Sequence, residues 1–381
     1  MLKSIVKPEY IGYSDPNYIK DLIDKHSGLI DKYNYLINNK DLFNPEGNDS
    51  LNNKILGSNI TNIIDTYNVK YKWATSIWDL MVANFWIPQK YSMIRDISSY
   101  EELTDEEKEA YLKIISFLIY LDSLQTNNLP NISDYITSAE VVLCLANQTF
   151  QEANHSLSYS YILTSIFDKE TANKALYYWR DNKVLLKRNK FIASIYQDFV
   201  DNKSIFNYLR VIVANYLLEG LYFYNGFNFF YNLNSRSKMM NTGTQIKYIN
   251  RDEKTHCVLF CNIISTIKKE FPELKDLIID LCYSMFISAV EQEIEFSYDA
   301  IGDNILGMSK VSIKEYTCWL ANSRLHDIGL ESIFNAPEVN PYKHLERIAS
   351  IENEDSVKGN NFETQTLNYK QASILDGWDE I

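Results

Sequence analysis

The sequence predicts an all-α protein built from long helices. Glycine and proline, the residues that most often interrupt helices, number only 12 and 8 among 381 residues. Apolar residues recur at helical spacing through most of residues 104–327, and no segment in the sequence alternates like a strand bounded by turns. These observations favour a bundle of helices around one large core.

Capping and breaking signals predict where the helices lie. A capping box, Thr104-x-x-Glu107, opens a helix that reaches about Gln125 and ends at "NNLPN". A second box, Thr137-x-x-Glu140, opens a helix that runs to about residue 167. Pro88 breaks a helix end in "ANFWIPQKYSM". The remaining helices are expected as a short pair over 170–200 and then over 204–232, 243–270, 274–300 and 310–327.

The two ends of the chain differ from its middle. Residues 1–70 are polar and read as an irregular arm with one short helix, and residues 71–348 form the helical domain. Residues 349–381 are predicted to be a flexible acidic tail. Its end, "SILDGWDEI", places apolar side chains at roughly helical spacing, as in a docking peptide. A frayed terminus is the alternative.

Charge and cysteine content exclude several classes of protein. A net charge of −13 disfavours binding to nucleic acid or to a membrane surface. The five cysteines are odd in number and form no C-x-x-C pair, so we expect neither disulfides nor a thiolate zinc site. The N-terminus lacks the apolar segment of a signal peptide, and the longest apolar run, residues 114–121, is too short to span a bilayer. A reducing cytoplasm is therefore expected.

Ionisable side chains interrupt the apolar stripes of four predicted helices. The pattern Glu-x-x-His occurs twice, and the chain has only five histidines. Two further acids stand alone on apolar stripes of their own helices. The six residues are Asp122, Glu152, His155, Glu219, Glu253 and His256. Ordinary solvated or ion-paired positions are the alternative explanation.

Metal binding explains this pattern best. A buried carboxylate needs a partner, and no lysine or arginine lies on these four stripes. Four carboxylates balance two divalent cations, and imidazole nitrogens suit iron or manganese. Lone acids on two helices plus Glu-x-x-His on two others is the ligand arrangement of dinuclear helical bundles. Asp122 and Glu152 are 30 residues apart, and Glu219 and Glu253 are 34 apart, as two antiparallel helices with a short loop require.

Five segments together resemble the small, radical-generating subunit of class I ribonucleotide reductase. They are "NFWIPQ" (84–89), "LDSLQ" (121–125), "FQEANHSLSY" (150–159), "LLEGLYFYNGF" (217–227) and "NRDEKTH" (250–256). The match covers residues 75–330 in order. The resemblance implies a ferritin-like helical bundle with a dinuclear metal site in its core.

The resemblance also implies residue roles. Asp122, Glu152 and His155 would bind one metal ion, and Glu219, Glu253 and His256 the other, with a carboxylate bridging. Tyr159 corresponds to the tyrosine that holds the radical, and Trp86 and Asp252 to the pair that links His155 to the radical-transfer path. The apolar pocket around the radical would contain Phe223, Phe227 and Ile249. Two iron ions are expected, with manganese or a mixed pair as options.

The chain lacks the active-site thiol pair that reducing a ribose requires. The resemblance therefore implies a larger catalytic partner subunit, which the acidic tail would bind and to which Tyr369 would relay the radical. A homodimer is also expected. A dinuclear oxidase or hydroxylase acting directly on a substrate is one alternative function. A metal-storage or structural helical protein is the other.

Overall fold

The computed structural model describes residues 1–349. Regular structure in that range is entirely helical, and extended residues pair only at isolated bridges such as Val6 with Phe334. The all-α prediction is confirmed. The predicted tail beyond Ala349, including Tyr369, lies outside the described residues.

Fourteen α-helices are present among the described residues. They are α1 (Leu2–Ile5), α2 (Tyr18–Tyr33), α3 (Lys72–Ala83), α4 (Ile94–Glu101), α5 (Asp105–Ser133), α6 (Ala139–Ile166), α7 (Lys169–Tyr177), α8 (Lys183–Asp201), α9 (Ile205–Leu217), α10 (Tyr224–Ser235), α11 (Met240–Glu270), α12 (Lys275–Ala300), α13 (Lys310–Asp327) and α14 (Lys343–Ala349). A π-helical turn, Leu218–Tyr222, joins α9 to α10. Short 3-10 turns cover Pro8–Ser14, Asn34–Ile37, Ser50–Asn52, Pro88–Lys90, Tyr178–Arg180 and Pro272–Leu274.

The centre of the molecule is a bundle of the longest helices. Helix α5 packs along α6, and α11 packs against α3, α6 and α9. Because α9, the π-helical turn and α10 are almost entirely buried, this continuous aromatic helix forms the middle of the core. The site-bearing helices therefore lie where water is excluded.

Helix α5 continues beyond its predicted end. It passes through Pro130 and ends at Ser133, whereas the sequence predicts an end near Gln125, before "NNLPN". A proline inside a helix removes one backbone hydrogen bond. Leu129 and Ile132 on the same turns are completely buried, and their burial offsets that loss.

The first capping box is confirmed, and the second is wrong. Thr104 and Glu107 form the reciprocal pair at the start of α5. Helix α6 instead starts after Ser138, which makes no side-chain cap. The Thr137 hydroxyl donates to the Lys54 carbonyl (2.7 Å), while Glu140 accepts from the Tyr71 backbone N–H (2.8 Å). Tertiary partners from the arm have replaced the local cap.

The arm is more helical than predicted, because α2 alone has 16 residues. We call residues 53–71 the strap, because this segment forms hydrogen bonds to the start of α6 and to the end of α11. At the start of α6, Glu140 also accepts from the Lys70 backbone N–H (3.0 Å). At the end of α11, Glu270 accepts from the Ile55 backbone N–H (2.8 Å) and the Tyr71 hydroxyl (2.6 Å). The strap thus fixes α6 relative to α11.

Candidate metal centre

The six residues predicted from the helical stripes meet in the core. They form two groups of possible ligand atoms, and within each group the atoms lie within 4.8 Å of one another. One group contains Asp122, Glu152, His155 and Glu253, and the other contains Glu152, Glu219, Glu253 and His256. All six side chains are fully buried. Glu152 and Glu253 belong to both groups, which is the arrangement that two neighbouring cations require.

Both imidazoles direct Nδ1 toward the carboxylates. The Nδ1 atom of His155 lies 3.1 Å from Glu253 and 3.6 Å from Glu152. The Nδ1 atom of His256 lies 3.1 Å from Glu152, 3.1 Å from Glu253 and 3.3 Å from Glu219. Each nitrogen faces the acids of both groups. The two histidines therefore occupy equivalent positions on opposite sides of the cluster.

Helix geometry explains how four separate segments reach one point. The i,i+3 spacing on α6 and again on α11 places each glutamate and its histidine on one face. Asp122 faces the same point from α5. Glu219 is different, because it lies in the π-helical turn rather than in regular α-helix. Single π-turns inside α-helices occur frequently at functional sites.

The cluster lacks the partners that its acids need. Neither carboxylate oxygen of Asp122 accepts a hydrogen bond from residues 1–349, and neither does either oxygen of Glu152, although His256 Nδ1 lies 3.1 Å from Glu152. Leaving such groups buried and unpaired costs several kcal/mol per ion. Two divalent cations would satisfy both the charge and the open oxygens, so the donor set fits a dinuclear metal site.

The pKa values of the metal-free cluster reflect the same crowding. Burial, reinforced by Glu152 and Glu253, raises the pKa of Asp122 well above its usual range. Burial and the same two neighbours also raise the pKa of Glu219. Burial opposes ionisation of Glu253 as well, but the two imidazoles outweigh it and lower the pKa of this carboxyl. In the absence of metal, protons take the place of some of the missing positive charge.

A charged partner lies behind His155. Its Nε2 atom is 3.3 Å from the Asp252 carboxylate, and the Trp86 indole N–H donates to the same oxygen at 2.8 Å. The Trp86 and His155 rings are nearly parallel, with centroids 6.3 Å apart. The predicted chain of Trp86, Asp252 and His155 is thus present as a set of contacts. It runs from the cluster toward the surface beside Trp86.

Neutral amides surround the other side of the cluster, and the sequence analysis missed them. Gln151 lies 2.9 Å from Nε2 of His256. Gln148 donates to Glu219 at 2.8 Å, and Gln125 donates to the same oxygen. The Tyr196 hydroxyl in turn donates to Gln125 at 2.7 Å. A signal was available, because Gln125 and Gln148 lie one helical turn from Asp122 and Glu152.

Tyr159 is completely buried, and its hydroxyl has no hydrogen-bond partner among the described residues. Burial raises its pKa well above 10, and the charges of Asp122, Glu253 and Glu152 add to that effect. The phenol is therefore neutral in the resting protein. Phe223, whose ring centroid is 5.9 Å from that of Phe227, belongs to the same fully buried core. Ile249 is also fully buried, so all three residues predicted to form the pocket are shielded from solvent.

A buried cluster of four acids and two histidines inside an all-helical bundle defines the ferritin-like class of dinuclear metal proteins. Comparison with known proteins narrows this class. The family model "Ribonucleotide reductase, small chain" matches residues 63–341.

Individual relatives agree with the family model. The ribonucleoside-diphosphate reductase subunit beta of Treponema pallidum is 42% identical over 342 residues, which are 89% of this chain and 97% of that protein. The ribonucleotide reductase R2 subunit of Clostridium botulinum is 42% identical, with a TM-score of 0.79 over 82% of this chain and 99% of the other. The dimanganese(II)-NrdF of Streptococcus sanguinis, 22% identical, shares the fold, with a TM-score of 0.64 over 76% of this chain and 99% of the other.

The chain belongs to the ribonucleotide reductase small-chain family. It is a β subunit that generates the radical for ribonucleotide reduction, and a β subunit functions with an α subunit. The predicted fold class and function are confirmed, and the oxidase and storage alternatives are not supported. No helix within residues 1–349 is long and apolar enough to cross a membrane.

Proposed function

We propose that Asp122, Glu152 and His155 bind one metal ion and that Glu219, Glu253 and His256 bind the second. The observation that carries this proposal is the pair of overlapping ligand groups. Because Glu152 and Glu253 belong to both groups, they are the carboxylates placed to bridge. The donor set suits two iron ions, and by the same chemistry two manganese ions or a mixed pair.

Tyr159 is the residue that we assign to hold the radical. When bound, the two metal ions supply, together with O2, the oxidant that removes one electron from a phenol. The protein's part is to keep Tyr159 neutral, close to the cluster and away from water. Its complete burial and its lack of hydrogen-bond partners among the described residues support this role, because a dry pocket protects a radical from side reactions.

Trp86 and Asp252 would carry the electron pathway between the cluster and the partner subunit. Trp86 lines a surface pocket of about 180 Å³ together with the exposed side chains of Val82, Phe85 and Phe150. The rings of Phe85 and Phe150 stack with centroids 6.0 Å apart. An exposed apolar surface of this kind is typical of a protein interface, so we place part of the large-subunit contact here.

Other elements of the proposed function rest on the sequence and the family. Residues 349–381 would dock on the large subunit, and Tyr369 would relay the radical within that tail. The protein would act as a homodimer in the cytoplasm, without binding nucleic acid or membranes. All five cysteines are free and buried, which agrees with a reducing compartment.

Electron paramagnetic resonance tests the assignment of Tyr159. Metal-free protein would be loaded with ferrous iron without oxygen and then exposed to O2. We expect a tyrosyl signal in the wild type and its complete loss in Tyr159→Phe, with iron binding unchanged. Tyr161→Phe is the matched control, because Tyr161 lies on the same helix and donates instead to the Tyr91 carbonyl at 3.1 Å. This variant should keep the signal.

Two outcomes would contradict the proposal. An unchanged tyrosyl signal in Tyr159→Phe would show that another tyrosine holds the radical. Two bound and oxidised irons without any radical in the wild type would exclude the simple iron–tyrosyl form. The same experiment would then be repeated with manganese.

A further inference from the structure

The π-helical turn that carries Glu219 accepts hydrogen bonds from two buried arginines on different helices. Arg324 of α13 donates through Nε to the Gly220 carbonyl at 3.0 Å. Arg188 of α8 donates through Nη2 to the Tyr222 carbonyl at 2.9 Å. Both carbonyls belong to residues that follow Glu219 in the turn: Gly220 is the next residue and Tyr222 comes two residues later. Neither arginine touches the candidate ligands directly.

Each arginine is itself held from several sides. Arg188 forms a buried ion pair with Glu293 of α12, and its guanidinium lies 3.8 Å from the ring centroid of Phe117. Arg324 pairs with Asp327 at 3.1 Å and donates to the Tyr224 hydroxyl at 3.2 Å. A planar guanidinium fixed in this way presents its N–H groups in a defined direction. The donors to the turn are therefore pre-positioned rather than adaptable.

Gly220 makes the close approach of Arg324 possible. A Cβ atom at this position would lie 3.1 Å from Arg324 Nε and 3.1 Å from Cys257 Sγ. An added methyl group would therefore force Arg324 or Cys257 to shift slightly, and a larger side chain would displace the arginine further. A glycine beside a ligand in the middle of a buried helix would otherwise only weaken that helix.

We propose that Arg324 and Arg188 are positioning residues that keep the turn at Leu218–Tyr222 in its π-helical form and so direct the Glu219 carboxylate into the cluster. Hydrogen bonds between residues i and i+5 are rare in helices, so contacts from other helices that favour this form supply useful support. Two cationic donors at the turn provide that support. This inference rests on the proposed role of Glu219 as a metal ligand.

The inference predicts an unequal effect on the two metal sites. Of the candidate ligands, only Glu219 lies in the turn, while Asp122, Glu152 and His155 are on α5 and α6. Loss of the Arg324 donor should weaken the site of Glu219 and His256 by about 10- to 100-fold, as removal of outer partners does at other metal sites. The site of Asp122 and His155 should change less than about twofold.

Manganese(II) titration of metal-free protein followed by electron paramagnetic resonance tests the inference. Wild type should bind two ions and give the spectrum of a spin-coupled pair. Arg324→Met should bind one ion tightly and show an uncoupled six-line spectrum over a wide range of manganese concentration. Arg324→Lys should recover part of the coupling, since lysine can still donate to the Gly220 carbonyl. Gly220→Ala should weaken the coupling in the same direction as Arg324→Met but less, because the added Cβ crowds Arg324 Nε.

A matched control separates this effect from general destabilisation. Arg210 of α9 lies on the same continuous helix but pairs with Asp198 (3.0 Å) away from the turn. Arg210→Met should therefore keep the coupled pair. Coupled spectra and unchanged affinities in both Arg324→Met and Gly220→Ala would overturn the inference, as would an equal loss at both sites. If Arg324→Met does not fold, the manganese spectrum and affinities of Gly220→Ala test the inference instead. Failure of the wild type to bind two ions would instead refute the proposed metal centre.

Discussion

The two halves of the cluster contain the same kinds of ligand but different surroundings. Behind His155 lies a carboxylate, Asp252, that also binds an indole. Behind His256 lies a neutral amide, Gln151. A carboxylate partner orients an imidazole and makes it a more basic ligand, whereas a neutral amide mainly orients it. If the proposed roles of Trp86 and Asp252 hold, the His155 half is the one connected to the redox pathway, and we refer to the His256 half as the supporting half.

Among changes behind the two histidines, removing the carboxylate charge of Asp252 should have the largest effect on the yield of tyrosyl radical. Asp252→Asn keeps the shape of the side chain but leaves the imidazole and the Trp86 N–H with a neutral acceptor. We expect the yield of tyrosyl radical per protein to fall about 10- to 100-fold. Spin quantification after reconstitution with iron and O2 measures it.

Gln151→Leu is the equivalent change behind His256. It removes one neutral hydrogen bond, so we expect a loss of about 2- to 10-fold. Equal losses in the two variants would mean that the halves do not differ in function.

A second prediction concerns pH and the metal-free protein. Burial and neighbouring acids raise the pKa of Asp122 and Glu219, and nearby carboxylates overcome burial to raise the pKa of His155 and His256. The folded state therefore holds protons that the unfolded state releases. For the histidines this stabilisation is complete below their unfolded pKa of about 6.5 and is lost as pH rises through the folded value.

The melting temperature of the metal-free protein should therefore fall between pH 6 and pH 8.5. Each proton held only by the folded state changes the free energy of unfolding by about 1.4 kcal/mol per pH unit. Metal binding requires deprotonated ligands, so the metal-loaded protein should not show this fall. Scanning calorimetry of both forms across the pH range measures it. A metal-free melting temperature that rises with pH over this interval would contradict the protonation pattern.

The smallest effect on the radical yield is expected for Tyr196, which lies on the His256 side of the cluster. Tyr196 is buried and donates to Gln125, whereas the Tyr159 hydroxyl has no hydrogen-bond partner among residues 1–349. Tyr196→Phe should lower the free energy of unfolding by about 1 kcal/mol, the usual value of one hydrogen bond, and leave the radical yield unchanged. Tyr208→Phe removes a comparable bond to the Ile132 carbonyl (3.0 Å) and serves as the control. A lower radical yield in Tyr196→Phe alone would assign this tyrosine a redox role.

The sequence predicted that these six ionisable residues would meet in the core, because ionisable residues on apolar stripes are conspicuous. Glu152 and Glu253 each precede a histidine by three positions, and that spacing fixes a common face whatever the surrounding fold. The neutral amides give a weaker signal: Gln125 and Gln148 lie one helical turn from Asp122 and Glu152, but an uncharged glutamine on an apolar stripe is less conspicuous than a carboxylate, because its burial costs less. The family resemblance rather than spacing supplied Trp86 and Asp252.

Errors arose where distant residues determined local structure. Thr137 and Glu140 match a capping box by sequence, yet both side chains bind the strap. Pro130 is a helix breaker, yet the burial of its neighbours keeps α5 intact. The π-helical turn depends on arginines more than 30 and 100 residues from their acceptors, as Arg188 with Tyr222 and Arg324 with Gly220 show. No local pattern contains that information.

The strap has a consequence for where the protein can be divided. The family match begins at residue 63, yet Ile55, which lies before it, supplies the N–H that binds Glu270 at the end of α11. A fragment cut at the start of the family match would lose that donor, and one cut at residue 72 would leave Glu140 and Glu270 without their strap partners. The start of the family match and the start of the segment that holds these helix ends together therefore differ. An excised domain intended to bind metal should begin before residue 53.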